Sequence, residues 1–339
     1  MRQIVDSGRR LFVATGCPAT LVPQLLRSGA SMSGILPGLA ENLPWRQPDV
    51  PTLAEGLRYA LAYADVFDCP VTLAEAHRYA VGVRATQEEV KAELDLGLRA
   101  GYWQCDGGYY VLPGRKAIIE TRRRRERHAA AMWERALVYA HSISQLPFVR
   151  MVALTGALPM GNVEQGADYD FMVITTEERV WTTRLLIVQL VVRPAARQGQ
   201  EVCPNYLLAE SALELERRDL FHAHELAQML PLYGRACYDR LRAANAWASV
   251  FLPNADGPPT VGWAAPAMPV DGPSLLGLAL RTRLGRWVER AEMRRMGAKL
   301  RAMSTSDEVQ VSPLRCKGHL DGHAQRTREA FALRVQQLG

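Results

Sequence analysis

One strand-like segment constrains the fold of this chain more than any other part of its sequence. Residues 168–174 read Asp-Tyr-Asp-Phe-Met-Val-Ile. Because side chains alternate along a β-strand, Asp168 and Asp170 share one face of the strand while Tyr169 points to the other. Two carboxylates held so close repel each other, and a divalent cation such as Mg²⁺ relieves that repulsion. The segment therefore predicts a strand with a metal-binding end.

A turn built from small residues precedes this strand. Residues 148–154 are apolar except for Arg150 and predict the strand before the turn, and Gly156 and Ala157 begin the turn itself. Asp168 follows Ala157 by eleven residues. Turn and acidic strand together resemble the signature of the DNA polymerase β-type nucleotidyltransferase superfamily. In that family a Gly-Ser or Gly-Gly turn lies about ten residues before an acidic-apolar-acidic strand.

The resemblance implies a fold, a pair of ligands and a set of roles. The expected fold is α+β with an α/β core, in which helices flank a mixed sheet of the nucleotidyltransferase type. The backbone N–H groups of Gly156 and Ala157 would hold the phosphates of a nucleoside triphosphate. Asp168 and Asp170 would be the catalytic carboxylates and would bind Mg²⁺ or Mn²⁺. Ala157 replaces the usual serine, so only the backbone can serve phosphate there.

A third carboxylate, which active members of the superfamily commonly carry on the next strand, is not evident. That strand is predicted at residues 202–208, and Asn205 stands where the acid is expected. An amide oxygen can ligate a metal, but an amide is no general base near neutral pH. Glu201 and Glu210 flank the strand, and each is either a substitute or a surface residue. Asn162, at the end of the turn, either orients a phosphate or completes the turn.

The N-terminal third of the chain divides into two parts. Residues 1–52 are rich in Gly, Pro and other small residues and predict a loosely ordered extension. Residues 53–114 predict a winged-helix-like domain of three helices followed by a β-hairpin. Thr72 and Thr86 are each followed three residues later by a glutamate, which is the pattern of a capping box.

The third predicted helix of this domain opposes DNA recognition. A helix that reads the major groove needs Arg, Lys, Asn or Gln, and acidic side chains are repelled by phosphate. The exposed positions of this helix are instead acidic, at Glu88, Glu89, Glu93 and Asp95. The pattern favours a packing or protein-contact module, with nucleic acid as the disfavoured alternative.

The remaining boundaries follow composition and apolar periodicity. They are a connecting helix at 115–146, a nucleotidyltransferase core at 147–252, a Pro/Gly-rich linker at 253–273 and a helical C-terminal region at 274–339. Within the core, residues 210–230 and 232–251 are predicted as helices. Four consecutive arginines, residues 122–125, spread around the connecting helix, so only one or two of them can reach a triphosphate.

Composition limits the class of protein. The six cysteines form no C-x-x-C pair and no regular framework, which is typical of a reducing cytoplasm. No apolar run approaches the ~18 residues that cross a bilayer, so no membrane partner is expected. The formal charge of +6 favours an anionic partner. His222 and His224 lie two residues apart on a predicted helix and therefore point to different sides, which is wrong for a shared zinc ion.

These patterns predict a cytoplasmic, Mg²⁺-dependent nucleotidyltransferase. Its substrates would be a nucleoside triphosphate, which donates a nucleoside monophosphate, and a small-molecule or protein acceptor. The alternative is a catalytically degenerate regulator that binds a nucleotide and uses the winged helix to contact DNA or protein. Neither the nucleotide nor the acceptor follows from the sequence.

Overall fold

The computed structural model describes residues 50–260, 275–303, 309–318 and 322–338 of this 339-residue chain. The described residues form a mixed α+β structure, in which helices flank a six-stranded mixed sheet. The expectation of an α+β fold is confirmed at that level. All but the last three residues of the predicted extension, and most of the predicted linker, lie outside the described residues.

The N-terminal part contains the three helices and the hairpin expected from the sequence. They are α1 (Leu53–Asp65), α2 (Leu73–Tyr79), α3 (Gln87–Ala100), β1 (Gln104–Asp106) and β2 (Tyr109–Val111). Both predicted capping boxes are present, and Thr52 with Glu55 forms a third at the start of α1. Gly101 ends α3 with φ +79°, a left-handed conformation that glycine adopts without a steric penalty.

The central sheet is mixed and draws on distant parts of the chain. Its strands are β3 (Val149–Leu154), β4 (Tyr169–Thr175), β5 (Val202–Ala209), β6 (Leu230–Tyr233), β7 (Gln310–Ser312) and β8 (Arg315–Lys317). Their order across the sheet is β6-β3-β4-β5-β8-β7. The β4–β5 pair is parallel and the other pairs are antiparallel.

Helices cover both faces of this sheet. They are α4 (Ile118–Ser144), α5 (Val180–Ile187), α6 (Arg193–Arg197), α7 (Leu220–Gln228), α8 (Arg235–Ala244), α9 (Ala248–Phe251), α10 (Leu275–Leu280), α11 (Arg283–Met303) and α12 (His323–Gln337). A π-helical turn, Val188–Val192, joins α5 to α6. One face of the sheet shares an apolar core with α4, α5 and α11, and the other with α1, α7, α8 and α12. No described helix is both long and apolar enough to cross a membrane.

The helices predicted at 210–230 and 232–251 are wrong in part. Helix α7 begins only after Asp219, whose side chain accepts a hydrogen bond from the backbone N–H of His222 and caps the helix. Strand β6 follows α7, and its Pro231 is tolerated because β6 is an edge strand. Gly234 then separates β6 from α8 with φ +78°, in a space where an added Cβ would lie 2.0 Å from the carbonyl oxygen of Arg150.

The C-terminal region is not purely helical, contrary to prediction. Strands β7 and β8 lie within it, and β8 pairs with β5 in the middle of the core. Each of these strands is three residues long. Alternation over three residues is too short to be recognised in a sequence. The sheet therefore includes a segment more than a hundred residues beyond β5.

Candidate functional site

The two predicted carboxylates lie together at one end of β4. Asp170 is the second residue of the strand and Asp168 directly precedes it. Both are partly exposed. Further along β4, Met172 and Ile174 continue the same side of the strand and pack against α7 and α8. The acid pair, Asp168 and Asp170, therefore faces the layer that contains α7 and the N-terminal helices.

A thiol completes this cluster. One carboxylate oxygen from each aspartate and the Sγ of Cys203 all lie within 4.8 Å of one another. Cys203 is the direct partner of Asp170 in the parallel β4–β5 pair, so both side chains leave the same face of the sheet. Among the described residues, no third carboxylate joins the group.

A bulge in β5 brings a second side chain to the acid pair. The register of β4 and β5 shifts just after Pro204, which pairs with Phe171. A proline inside a sheet is tolerated at such a bulge because it has no N–H to contribute. Asn205 follows, and its Nδ2 donates a hydrogen bond of 2.6 Å to Oδ1 of Asp170. Asn205 therefore lies at the predicted site, where it contacts Asp170.

The glycine turn packs directly against Asp170. Gly156 has φ +69°, and a Cβ added there would lie 2.4 Å from Oδ2 of Asp170. The backbone N–H of Thr155 donates to the carbonyl oxygen of Asp170 over 2.9 Å. Ala157 is exposed and lines the same pocket. The structure therefore brings the predicted turn and the predicted carboxylates together.

Asn162 ties the turn to two other elements. Its Oδ1 accepts from Nη1 of Arg125, at 3.1 Å, and its Nδ2 donates to the carbonyl oxygen of Phe67, also at 3.1 Å. Arginines of the run at residues 122–125 likewise connect α4 to other elements. Arg122, for example, is buried and pairs with Glu75. None of the four arginines lines the pocket at the acid pair.

The acid pair carries uncompensated negative charge. Burial and the neighbouring charge of Asp168 raise the pKa of Asp170 to about 8, although the hydrogen bond from Asn205 opposes that shift. Burial, together with the charges of the same two aspartates, raises the pKa of Cys203 to about 12. A cation bound between these groups would reverse both effects.

The acid pair opens into a cavity of about 610 Å³. Thr155, Gly156, Glu201 and Asn205 line its acidic end. The remaining wall is formed by α1, α2, α7 and the first turn of α12, together with residues that follow α1. The cavity thus lies between the central sheet and the N-terminal helices.

Two contributors to this cavity escape sequence reasoning. Cys203 reaches the acid pair as the direct partner of Asp170, and this register between β4 and β5 is not visible in the sequence. Glu225 lies on α7 beside His224 and Gln228, and all three line the cavity. Pro204, within the strand predicted at residues 202–208, is the sequence feature that indicates a bulge.

The two histidines of α7 have separate roles. His222 bonds through Nδ1 to Oδ1 of Asp219, at 2.7 Å, and does not line the cavity. His224 is buried, and neither of its ring nitrogens has a hydrogen-bond partner in the described structure. Its ring stacks on Tyr63 with 3.7 Å between centroids. Among the described residues, the group of potential metal ligands contains neither histidine.

The cavity brings together several groups that could bind a ligand. Its acidic end offers two oxygen ligands, a thiol and a glycine turn, all from neighbouring strand ends. Comparisons with protein-family models, with curated proteins and with solved structures find no match for this chain.

Proposed function

We propose that this protein is a divalent-cation-dependent nucleotidyltransferase, which transfers a nucleoside monophosphate from a nucleoside triphosphate to a small-molecule or protein acceptor. One observation carries the proposal. The acid pair of β4 faces a cavity of about 610 Å³, and the glycine turn packs on Asp170 so closely that no Cβ fits between them. Carboxylates can bind a divalent cation, and the backbone N–H groups of a neighbouring glycine turn can donate hydrogen bonds to a phosphate chain.

The side chains at the acid pair fit a divalent cation. Asp168 and Asp170 supply hard oxygen ligands, and Cys203 supplies a softer one at the same point. Burial and the neighbouring charge of Asp168 raise the pKa of Asp170, and a bound cation would oppose both effects. A cation held there neutralises charge that develops on the transferred phosphoryl group.

The chain's own groups would position the substrates. The N–H groups of Gly156 and Ala157 would donate to oxygens of the triphosphate, and Asn205 would keep Asp170 oriented through its 2.6 Å hydrogen bond. An acceptor oxygen or nitrogen forms a bond to the α-phosphorus while the bond from that phosphorus to its bridging oxygen breaks. Pyrophosphate leaves, and the acceptor's proton passes to water.

The test is nucleotide binding by the full-length protein in the presence of Mn²⁺. Equilibrium titration with each of the four ribonucleoside triphosphates should reveal binding that requires the cation. Asp168→Asn, which keeps the size of the side chain and removes its charge, should abolish that requirement and weaken binding at least tenfold. Cation-dependent binding that is absent, or unchanged in Asp168→Asn, would refute the proposal.

A second candidate is a regulator that binds a nucleotide without turnover. The observation that favours it is the ligand set of β5, where Cys203 and Asn205 occupy the positions next to Asp170 and no third carboxylate of the described residues joins them. Pyrophosphate release separates the two candidates. Nucleotide binding without pyrophosphate release, combined with a gel shift of promoter DNA, would favour the regulator.

A further inference from the structure

One part of the cavity wall is aromatic. We call this the aromatic end, and its rings are Tyr63, Phe67, Tyr79, Phe221, His224 and His323. Several of the rings contact one another, with 5.5 Å between the centroids of Tyr63 and Phe67 and 6.3 Å between those of Phe67 and His323. Aromatic walls of this kind bind flat apolar groups through their faces.

The cavity as a whole is acidic. Four carboxylates line it, those of Asp168, Asp170, Glu201 and Glu225, and no Lys or Arg of the described residues does. Glu225 is half-buried, and within the described part of the chain no ion pair neutralises it. A carboxylate in that position favours a positively charged ligand, because burial weakens the screening by water.

Glu225 also lies on the same helix as the aromatic residues Phe221 and His224. One turn of α7 separates Phe221 from Glu225, so the two share a face of the helix. Gln228, three residues after Glu225, also lines the cavity. Phe221, His224 and Glu225 therefore come from one rigid element, which fixes the carboxylate relative to two of the rings.

We propose that the aromatic end binds an organic amine that carries a flat ring, with its ammonium group paired to Glu225 and its ring against the aromatic side chains. This inference rests on the proposed function in one respect, because it identifies the amine as the acceptor of the transferred nucleotide. The base of the nucleotide is also flat but is neutral, so it could donate a hydrogen bond to Glu225 but could not form an ion pair with it. The charge of the ligand therefore distinguishes an acceptor from a nucleobase in this end of the cavity.

Three indoles of nearly equal size test the proposal: tryptamine, which is a cation, tryptophol, which is neutral, and indole-3-acetate, which is an anion. Their binding to the full-length protein is measured by calorimetry without metal and without nucleotide. Tryptamine should bind about tenfold more tightly than tryptophol, as expected for a charge-assisted hydrogen bond, and indole-3-acetate should bind most weakly.

Three substitutions test which groups of the cavity bind the ligands. Glu225→Gln should reduce tryptamine affinity to that of tryptophol and leave tryptophol unchanged. Glu88→Gln is the matched control, because Glu88 is an exposed carboxylate on α3, outside the cavity, and its loss should change nothing. Phe67→Ala should weaken all three ligands by a similar factor, because it removes part of the aromatic surface and no charge.

The outcomes separate this inference from the proposed function. Equal binding of tryptamine and tryptophol, or tryptamine binding that Asp168→Asn weakens and Glu225→Gln does not, would overturn the amine site. Either result would leave cation-dependent nucleotide binding intact. Loss of nucleotide binding with retained, Glu225-dependent tryptamine binding would instead refute the transferase and keep the amine site.

Discussion

Gly156 and Asp170 approach each other so closely that the identity of residue 156 controls the position of a proposed metal ligand. An added Cβ would meet Oδ2 of Asp170 at 2.4 Å, and that carboxylate would have to move. The same aspartate is held on its other side by Asn205. Substitutions of the residues around Asp170 should therefore alter the binding of a metal ion by this carboxylate.

The first prediction concerns Gly156→Ala. It should lower the free energy of unfolding by about 1–2 kcal/mol, because alanine is strained at φ +69°, and should weaken Mn²⁺ binding at least tenfold by displacing Asp170. Gly199→Ala is the matched control, since Gly199 has φ +72° and open space around it. Urea denaturation and Mn²⁺ titration measure the two effects. Equal Mn²⁺ affinity in both variants would contradict the prediction.

The second prediction concerns the thiol at the acid pair. Soft ligands prefer softer metals, so Cys203→Ser should weaken Cd²⁺ binding about tenfold and Mg²⁺ binding much less. Cys203→Asp should have the opposite effect and strengthen Mg²⁺ binding. Cys105→Ser, at a half-buried cysteine in β1, is the control. Titration of the protein with each metal checks the result, and a Cd²⁺ affinity insensitive to Cys203 would exclude the thiol as a ligand.

The third prediction concerns the buried imidazole of His224. Burial lowers the pKa of His224 to about 3, whereas a histidine in the unfolded chain titrates near 6.5. Between those pH values the unfolded state binds one more proton than the folded state. Stability should therefore fall as pH drops below about 6.5, by up to about 1.4 kcal/mol per pH unit from this residue.

The variant His224→Phe isolates that contribution. It keeps a ring against Tyr63 and removes the titrating group, so its stability relative to the native protein should rise as pH falls from 6.5 to 4. His141→Asn, at an exposed histidine of α4, should show no such change. Denaturation at several pH values provides the measurement. A stability difference between His224→Phe and the native protein that stays constant with pH would count against a buried neutral imidazole.

At the scale of elements, one buried carboxylate joins three helical segments. Asp65, the last residue of α1, accepts from Nε of Arg115, just before α4, and from Nε of Arg334 in α12. Both contacts measure 2.6 Å, and Asp65 is 4% exposed. The C-terminal helix is thereby attached to the N-terminal helices that form the aromatic end of the cavity.

The fourth prediction is that Asp65→Asn lowers the free energy of unfolding by about 2 kcal/mol. A buried ion pair that loses one partner leaves the other charge uncompensated. The partial exposure of both arginines and the second pair of Arg115, with Asp68, moderate the loss. Asp239→Asn, which breaks the exposed pair with Arg235 on α8, should cost less than about 0.5 kcal/mol. Urea denaturation compares the two. Equal losses would show that burial does not strengthen the interaction of Asp65.

At the scale of the whole molecule, the C-terminal segment is part of the core that holds the site. Strand β8 pairs with β5, and the backbone N–H of Gly318 donates to the carbonyl oxygen of Asn205 over 3.1 Å. The residue that orients Asp170 is thus itself fixed by a segment more than a hundred positions later. Unfolding of that segment alone would release Asn205.

The fifth prediction is that β8 and β5 unfold together. In native-state hydrogen exchange, the amides of β8 should exchange with the same free energy of opening, and the same dependence on low urea concentrations, as those of β5. The turn at residues 107–108, which is exposed, should exchange much faster. Local opening of β8, seen as urea-independent exchange while β5 stays protected, would contradict a single cooperative core.

Local sequence patterns were sufficient for the N-terminal helices and for the central pair of strands. Each predicted capping box formed, because a capping box depends on residues only three positions apart. Asp168 and Asp170 met the Gly156 turn for a similar reason, since β3 and β4 are neighbours in sequence and pair directly. The winged-helix and nucleotidyltransferase assignments stay predictions.

The sequence by itself determined the alternation that aligns the acid pair, the caps that begin the helices, and the α+β class. Only the tertiary structure decided which side chains face that pair. Cys203 reaches it through the register of β4 and β5, and Asn205 reaches it at the bulge that follows. Glu225 reaches the cavity from α7, and β8 supports the arrangement from a distant part of the chain. Those contacts depend on packing between segments far apart in sequence, and no local pattern of residues records which distant segment will lie opposite.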